Sequence, residues 1–111
     1  MTNQRIDLDA VSELKEILED EFGTLISTYI KDTKLKLDLL SGAVKERNAS
    51  EVREVAHSIK GASINIGILQ LSELCQQMET AAKEGEVEQF DQLLPPIQDE
   101  VHWVLQALTE I

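Results

Sequence analysis

The chain has 111 residues, which fits one domain of common size, and its 10 Lys and Arg residues against 21 Asp and Glu residues give a formal net charge of −11. A surface this acidic repels phosphate backbones and anionic lipid headgroups, so binding to nucleic acid or to membranes is disfavoured. No stretch approaches the roughly 18 consecutive apolar residues of a membrane helix, the first residues lack the apolar core of a secretion signal, and the single cysteine, Cys75, fits a reducing compartment, so we expect one cytoplasmic domain over residues 1–111.

Apolar residues recur at three- and four-residue spacing along most of the chain, whereas strand-like alternation is absent, so the sequence predicts helices. Five apolar stripes follow one another, and they cover residues 11–18, 22–44, 52–66, 71–82 and 87–108. Asp9 and Ser50 are the predicted N-caps of the first and third helices, since short polar side chains accept hydrogen bonds there. Gly67 and Gly85 are placed to end the third and fourth helices.

The connections between these helices are two to five residues long, which makes successive helices antiparallel neighbours. The predicted fold is therefore all-α, an antiparallel four-helix bundle with a short extra N-terminal helix. Pro95 and Pro96 are predicted to kink or restart the fifth helix, because proline lacks a backbone donor and clashes with the preceding turn. Trp103 points away from the stripe of that helix and is predicted to contact either the first helix or a second copy of the chain.

One polar residue of the third helix lies almost opposite its apolar stripe. At 100° per residue the stripe centres near roughly 330°, and His57 falls at about 140°. Arg53, Lys60 and Ile64 lie within about 60° of His57, and a glycine, Gly61, lies about 40° away. Glycine inside a helix costs about 1 kcal/mol relative to alanine, which indicates that something approaches the helix closely there. The exposed isoleucine is suited to a docking contact.

This cluster fits phosphoryl transfer through His57. A neutral imidazole is a competent nucleophile near pH 7, and two neighbouring cations favour the neutral ring and offset charge on phosphoryl oxygens. The chain has no G-x-x-x-x-G-K-[ST] loop and no G-x-G, so it has no visible nucleotide site. Another protein must therefore be the phosphoryl donor.

The residues around this cluster match a known motif. The segment 56–63, A-H-S-I-K-G-A-S, is followed by Gly67 and then by L-S-E-L-C-Q-Q-M-E at 71–79. It resembles the histidine-containing phosphotransfer (HPt) domain of bacterial multistep phosphorelays, whose pattern is A-H-x-L-K-G-x-x-x-x-x-G and then L-x-x-L-C-x-x-L-E. The resemblance covers about residues 52–85, and it departs from the pattern at Ile59 and Met78, where leucine is usual.

The resemblance implies a role for each matching position. His57 would be phosphorylated on Nε2, Lys60 would lie near the phosphoryl group, and Gly61 would keep the ring accessible. Glu79, which is 22 residues after His57, matches the residue that accepts a hydrogen bond from Nδ1. That bond would leave the lone pair of Nε2 free for attack. Arg53 is outside the family motif and is included on helical geometry alone.

The resemblance also implies the partners. The receiver domain of a hybrid histidine kinase would donate from its phosphoaspartate to His57, and the receiver of a response regulator would take the group onward. The Mg²⁺ for this transfer would lie in the receiver's acidic pocket, so no cofactor or metal is expected on this chain. Because Met1 begins the chain and the bundle fills it, we expect a stand-alone monomer similar to the bacterial HptB-like members of the family.

The net charge is distributed in a way that suits such partners. Residues 1–30 carry two cations and seven anions, and residues 61–111 carry one cation and nine anions. Residues 31–60, which include the proposed site, carry seven cations and five anions, for a charge of +2. A locally basic site complements a partner whose own active site is a cluster of carboxylates.

Two other functions compete with phosphotransfer. Glu54-x-x-His57 and Asp99-x-x-His102 have the carboxylate-x-x-His spacing of di-iron four-helix bundles, although the helical wheel places Glu54 and His57 outside the core. The chain could instead be a structural adaptor that binds partners without chemistry. Cys75 lies in an apolar stripe and is predicted to be a core thiol, not a nucleophile.

Overall fold

The computed structural model describes residues 5–111, which form a bundle of amphipathic helices. The helices are α1 (Leu8–Leu18), α2 (Glu21–Lys45), α3 (Ala49–Asn65), α4 (Leu69–Lys83) and α5 (Phe90–Thr109), with a 3₁₀ turn at Val87–Gln89 before α5. Helices α2 to α5 form the antiparallel bundle, and α1 is the short extra helix, so the predicted fold is confirmed. None of the described helices is long and apolar enough to cross a membrane. Residues 1–4, which belong to the start examined for a secretion signal, lie outside the described part.

The core lies between α2, α3, α4 and α5, where each helix buries its apolar stripe. The largest fully buried side chains are Leu40, Val52, Ile59, Ile68, Leu71, Met78, Phe90, Ile97, Val101 and Val104. Cys75 is also fully buried, and burial raises the pKa of its thiol to about 12. The thiol is therefore protonated and packed at neutral pH, which confirms the prediction of a core cysteine.

The N-caps of α1 and α3 lie two residues before the predicted ones. Asp7 caps α1 and Asn48 caps α3, and each side chain accepts the N–H three residues on at 3.1 Å. The prediction of Asp9 and Ser50 as N-caps was wrong. An equally good capping side chain precedes each of them, so the helix has already begun at these two residues. The two glycines predicted to end α3 and α4 do follow those helices, with φ of +79° and +72°.

Helix α5 runs through Pro95 and Pro96 without a break, so the predicted restart of the helix is wrong. The carbonyl groups that lose their helical donors belong to Asp91 and Gln92, four residues earlier. Both prolines and both of these residues are exposed, so water can bind the freed carbonyl groups. The prolines are tolerated because they lie on the solvent side of the helix.

The segment before α1 is tied to the turn between α3 and α4. Ile6 and Ile68 form an isolated antiparallel bridge, and the N–H of Asp7 donates to the carbonyl of Gly67 at 2.8 Å. A Cβ at position 67 would lie 3.2 Å from the side chains of Asp7 and Ala10. Gly67 is therefore required both for its positive φ and for this close approach.

Helix α5 holds the same segment through a buried carboxylate. The Nε atom of Arg5 lies 3.4 Å from Oε1 of Glu100, and its guanidinium lies 4.3 Å above the ring of Trp103. Trp103 thus packs on Arg5, in the segment that leads into α1. Glu100 is only 5% exposed, and burial raises the pKa of its carboxyl above the ordinary value even though the Arg5 charge opposes this.

We expect Glu100→Gln to raise the free energy of unfolding at pH 7 by about 1 kcal/mol, because it removes a buried charge that Arg5 compensates only in part. A carboxyl whose pKa is raised by folding contributes stability at low pH that is lost as the pH rises through the folded value. The gain should therefore shrink towards about pH 4, where the wild-type carboxyl is protonated. Urea unfolding at both pH values measures this, with Glu73→Gln on the exposed surface of α4 as the control. A variant no more stable than the wild type at pH 7 would contradict the assignment.

Candidate functional site

Helices α3 and α4 carry the candidate site, and polar contacts fix how they pack. Ser72 of α4 donates from Oγ to the carbonyl of Lys60 at 3.2 Å. Towards α2, the hydroxyl groups of Tyr29 and Ser63 form a buried hydrogen bond of 2.7 Å. These bonds and the apolar contacts around them set the register of α3 against both neighbours, so its outer face is held in one orientation.

His57 lies on that outer face, and 66% of its side chain is exposed. Its Nδ1 is 2.9 Å from Oε2 of Glu79 on α4, whose side chain is only 16% exposed. Burial would raise the pKa of the Glu79 carboxyl, but close contacts with Lys60 and His57 outweigh burial and hold the pKa below its ordinary value. An ionised carboxylate only accepts hydrogen bonds, so Nδ1 carries the hydrogen and donates it. In the neutral form of the ring, the lone pair of His57 therefore resides on Nε2.

Lys60 binds the same carboxylate from the other side. Its Nζ lies 2.7 Å from Oε1 of Glu79, and the two groups form an ion pair. The ammonium also donates a hydrogen bond of 3.0 Å to Oε1 of Gln76. One carboxylate thus joins His57 and Lys60, and a neighbouring amide holds the lysine.

Sequence reasoning missed Gln76 because the family pattern leaves its position open. Its amide nitrogen donates to Oγ1 of Thr80 at 3.1 Å, one turn further along α4. The available signal was the spacing: Gln76 and Thr80 are four residues apart, which places them side by side on one face of a helix.

The other predicted residues lie on the same side of α3. Arg53 lines a groove together with His57 and Glu79, and it forms no ion pair within residues 5–111. Ile64 is 58% exposed. A Cβ at Gly61 would meet nothing within 4 Å, so the helix surface there is open. The structure brings Lys60 and Glu79 together with His57, places Arg53 beside them, and leaves Ile64 free of the groove.

The side chains expected for a di-iron centre do not converge. Glu54, His57, Asp99 and His102 are all exposed, whereas di-iron ligands project into the core of a bundle. In the part of the chain that the structure describes, no three His, Cys, Asp or Glu side chains are grouped to hold a metal ion. The geometry therefore does not fit that alternative.

Comparison with known proteins agrees with this geometry. The family model described as Hpt domain matches residues 24–110. The crystal structure of histidine-containing phosphotransfer protein B (HptB) from Pseudomonas aeruginosa PAO1 is 28% identical, with a TM-score of 0.93, and the match covers 98% of this chain and 95% of that one. No curated protein is similar enough to match. Because the family match spans most of its length, this chain belongs to the Hpt domain family, the histidine phosphotransfer domains of two-component phosphorelays.

Proposed function

We propose that His57 is the phosphorylated residue. It accepts a phosphoryl group from the phosphoaspartate of a hybrid kinase receiver and passes it to the aspartate of a downstream response regulator. The observation that carries this proposal is the 2.9 Å hydrogen bond from Nδ1 to an ionised Glu79 on a ring that is 66% exposed. It leaves Nε2 as the nucleophile on an accessible face of the helix.

Each bond that forms or breaks during phosphoryl transfer can be assigned to a group of His57 or of the receiver aspartate. The lone pair of Nε2 forms the N–P bond while the P–O bond to the receiver aspartate breaks, and that carboxylate leaves with the electron pair. Because Nδ1 keeps its hydrogen, the phosphorylated ring is positively charged. The Glu79 carboxylate lies at hydrogen-bond distance from that charge and stabilises it as it develops. The same step in reverse passes the group to the second receiver.

Lys60 and Arg53 supply positive charge for the phosphoryl oxygens. Lys60 is held on the carboxylate that His57 also binds, and Arg53 lines the groove beside the ring. Gly61 leaves room for the approaching receiver loop, and the exposed Ile64 offers an apolar docking contact. Catalysis is then mainly positioning and charge compensation.

We infer that the 111 residues act as one monomeric domain in the cytoplasm, with receiver domains as partners. The net charge of −11 disfavours nucleic acid as a partner. The chain contributes no cofactor, and the Mg²⁺ of the reaction is expected in the acidic pocket of the receiver.

The assignment of His57 is tested by transfer from a panel of receivers of the same organism, each charged with acetyl phosphate. We expect the wild type to gain an acid-labile label and His57→Gln to gain none. The second of the two histidines, exposed His102, provides the matched control, and His102→Gln should label like the wild type. Label that persists in His57→Gln would refute the assignment, and a wild type that no receiver labels would favour an adaptor.

Two substitutions of Gly61 separate stability from access. Since a Cβ there meets nothing, Gly61→Ala should raise the free energy of unfolding by about 0.5–1 kcal/mol. Gly61→Gln keeps the helix but covers the open surface, and it should slow transfer about tenfold in both directions by displacing the receiver. Circular dichroism and single-turnover transfer measure the two effects. Wild-type transfer by Gly61→Gln would show that close approach at this residue is unimportant.

A further inference from the structure

We propose that Gln76 is a positioning residue for phosphotransfer: its amide oxygen holds the Lys60 ammonium beside Glu79, and Thr80 keeps the amide turned in the orientation that does so. The inference rests on the proposed function of His57. It adds two α4 residues to the site.

Two acceptors hold the Lys60 ammonium, one on Glu79 and one on Gln76. Its side chain is 23% exposed and flexible, so the place of its charge depends on its acceptors. One of its two contacts is the ion pair of 2.7 Å with Oε1 of Glu79. The other is a hydrogen bond of 3.0 Å that the ammonium donates to Oε1 of Gln76. Gln76 therefore helps to fix where the ammonium lies beside Glu79.

The orientation of the Gln76 amide decides whether it can hold Lys60. A glutamine amide has an accepting end and a donating end, so only one of its two orientations attracts an ammonium. Nε2 of Gln76 donates to Oγ1 of Thr80 at 3.1 Å, and this turns Oε1 towards Lys60. Without that hydroxyl the amide loses the contact that disfavours the flipped orientation, in which its N–H groups would face the ammonium. Thr80 thus acts on Lys60 through Gln76.

The position of Lys60 bears on the reaction at His57. The contacts run in one series from Thr80 through Gln76, Lys60 and Glu79 to His57. A lysine held by these contacts is already beside the His57 ring when the phosphoryl group arrives. Its charge therefore stabilises the phosphoryl oxygens without any reorganisation of the side chain. Loss of Gln76 should slow the chemical step while leaving the fold intact, because Gln76 is exposed.

The test uses phosphoramidate, a small donor with no docking surface. His57 Nε2 forms the N–P bond, the P–N bond of the donor breaks, and ammonia leaves. We expect Gln76→Leu to slow labelling about threefold to tenfold, as befits an exposed hydrogen bond to a charged group. Gln77→Leu, which removes the adjacent exposed glutamine, should label within about twofold of the wild type. Intact mass against time gives the rate constants, and circular dichroism checks the fold.

Two further comparisons separate positioning from a general structural effect. In a Lys60→Met background, Gln76→Leu should cause no additional slowing, because a residue that acts through Lys60 has nothing left to position. Gln76→Glu should restore the rate, since either carboxylate oxygen accepts from the ammonium. Thr80→Val should slow labelling about twofold in the wild type but not in the Gln76→Glu background, where there is no amide to orient.

Different results would contradict the positioning role of Gln76 and the phosphorylation of His57. Equal rates for Gln76→Leu and Gln77→Leu would overturn the inference, and so would additive losses with Lys60→Met. A wild type that is not labelled, or a His57→Gln variant that is, would contradict the proposed function instead.

Discussion

The carboxylate of Glu79 lies between α3 and α4 and binds two groups at once, His57 through Oε2 and Lys60 through Oε1. A mostly buried carboxylate is unstable as an ion unless it is paired, and Lys60 provides that pairing. The pairing has a chemical consequence, because a protonated Glu79 could donate to Nδ1 and would no longer fix the tautomer of the ring. Holding the pKa of Glu79 below its ordinary value therefore protects the Nε2 atom that we propose as the nucleophile. The stability of one side chain and the proposed reactivity of another depend on the same ion pair.

This contact requires a fixed rotation of α4 relative to α3. Glu79 follows His57 by 22 positions, a span that includes the whole α3–α4 turn, and one residue more or fewer would rotate Glu79 by about 100° around its helix. Gly67 allows the turn by its positive φ, and the bridge between Ile6 and Ile68 ties the turn to the N-terminal segment. The bond from Ser72 to the Lys60 carbonyl then sets the register. Residues far from the His57 ring thus determine whether Glu79 reaches its Nδ1 atom.

The sequence predicted those features that depend on repetition or on a motif. Apolar spacing predicted all five helices, and the spacing of the motif paired His57 with Glu79. Prediction of the N-caps failed where two nearby residues can both cap a helix, as Asn48 and Ser50 can. The residue type alone does not show which of the two begins the helix. Sequence reasoning also missed Gln76, because a helical wheel describes one helix at a time. Lys60 reaches sideways to another helix, and only the packing of the two helices shows its acceptor.

The same pairing changes how the local charge should be understood. Residues 31–60 have a net charge of +2, yet several of their cations are already bound: Lys36 by Asp32, Arg47 by Asp91 and Lys60 by Glu79. A charge paired within the protein contributes little field beyond it. Of the cations in this segment that have no such partner in the described part of the chain, Arg53 is the one that lines the His57 groove, which Glu54 also lines. We therefore infer that attraction to an acidic receiver pocket, and its dependence on salt, arises at Arg53 more than from the net charge of the segment.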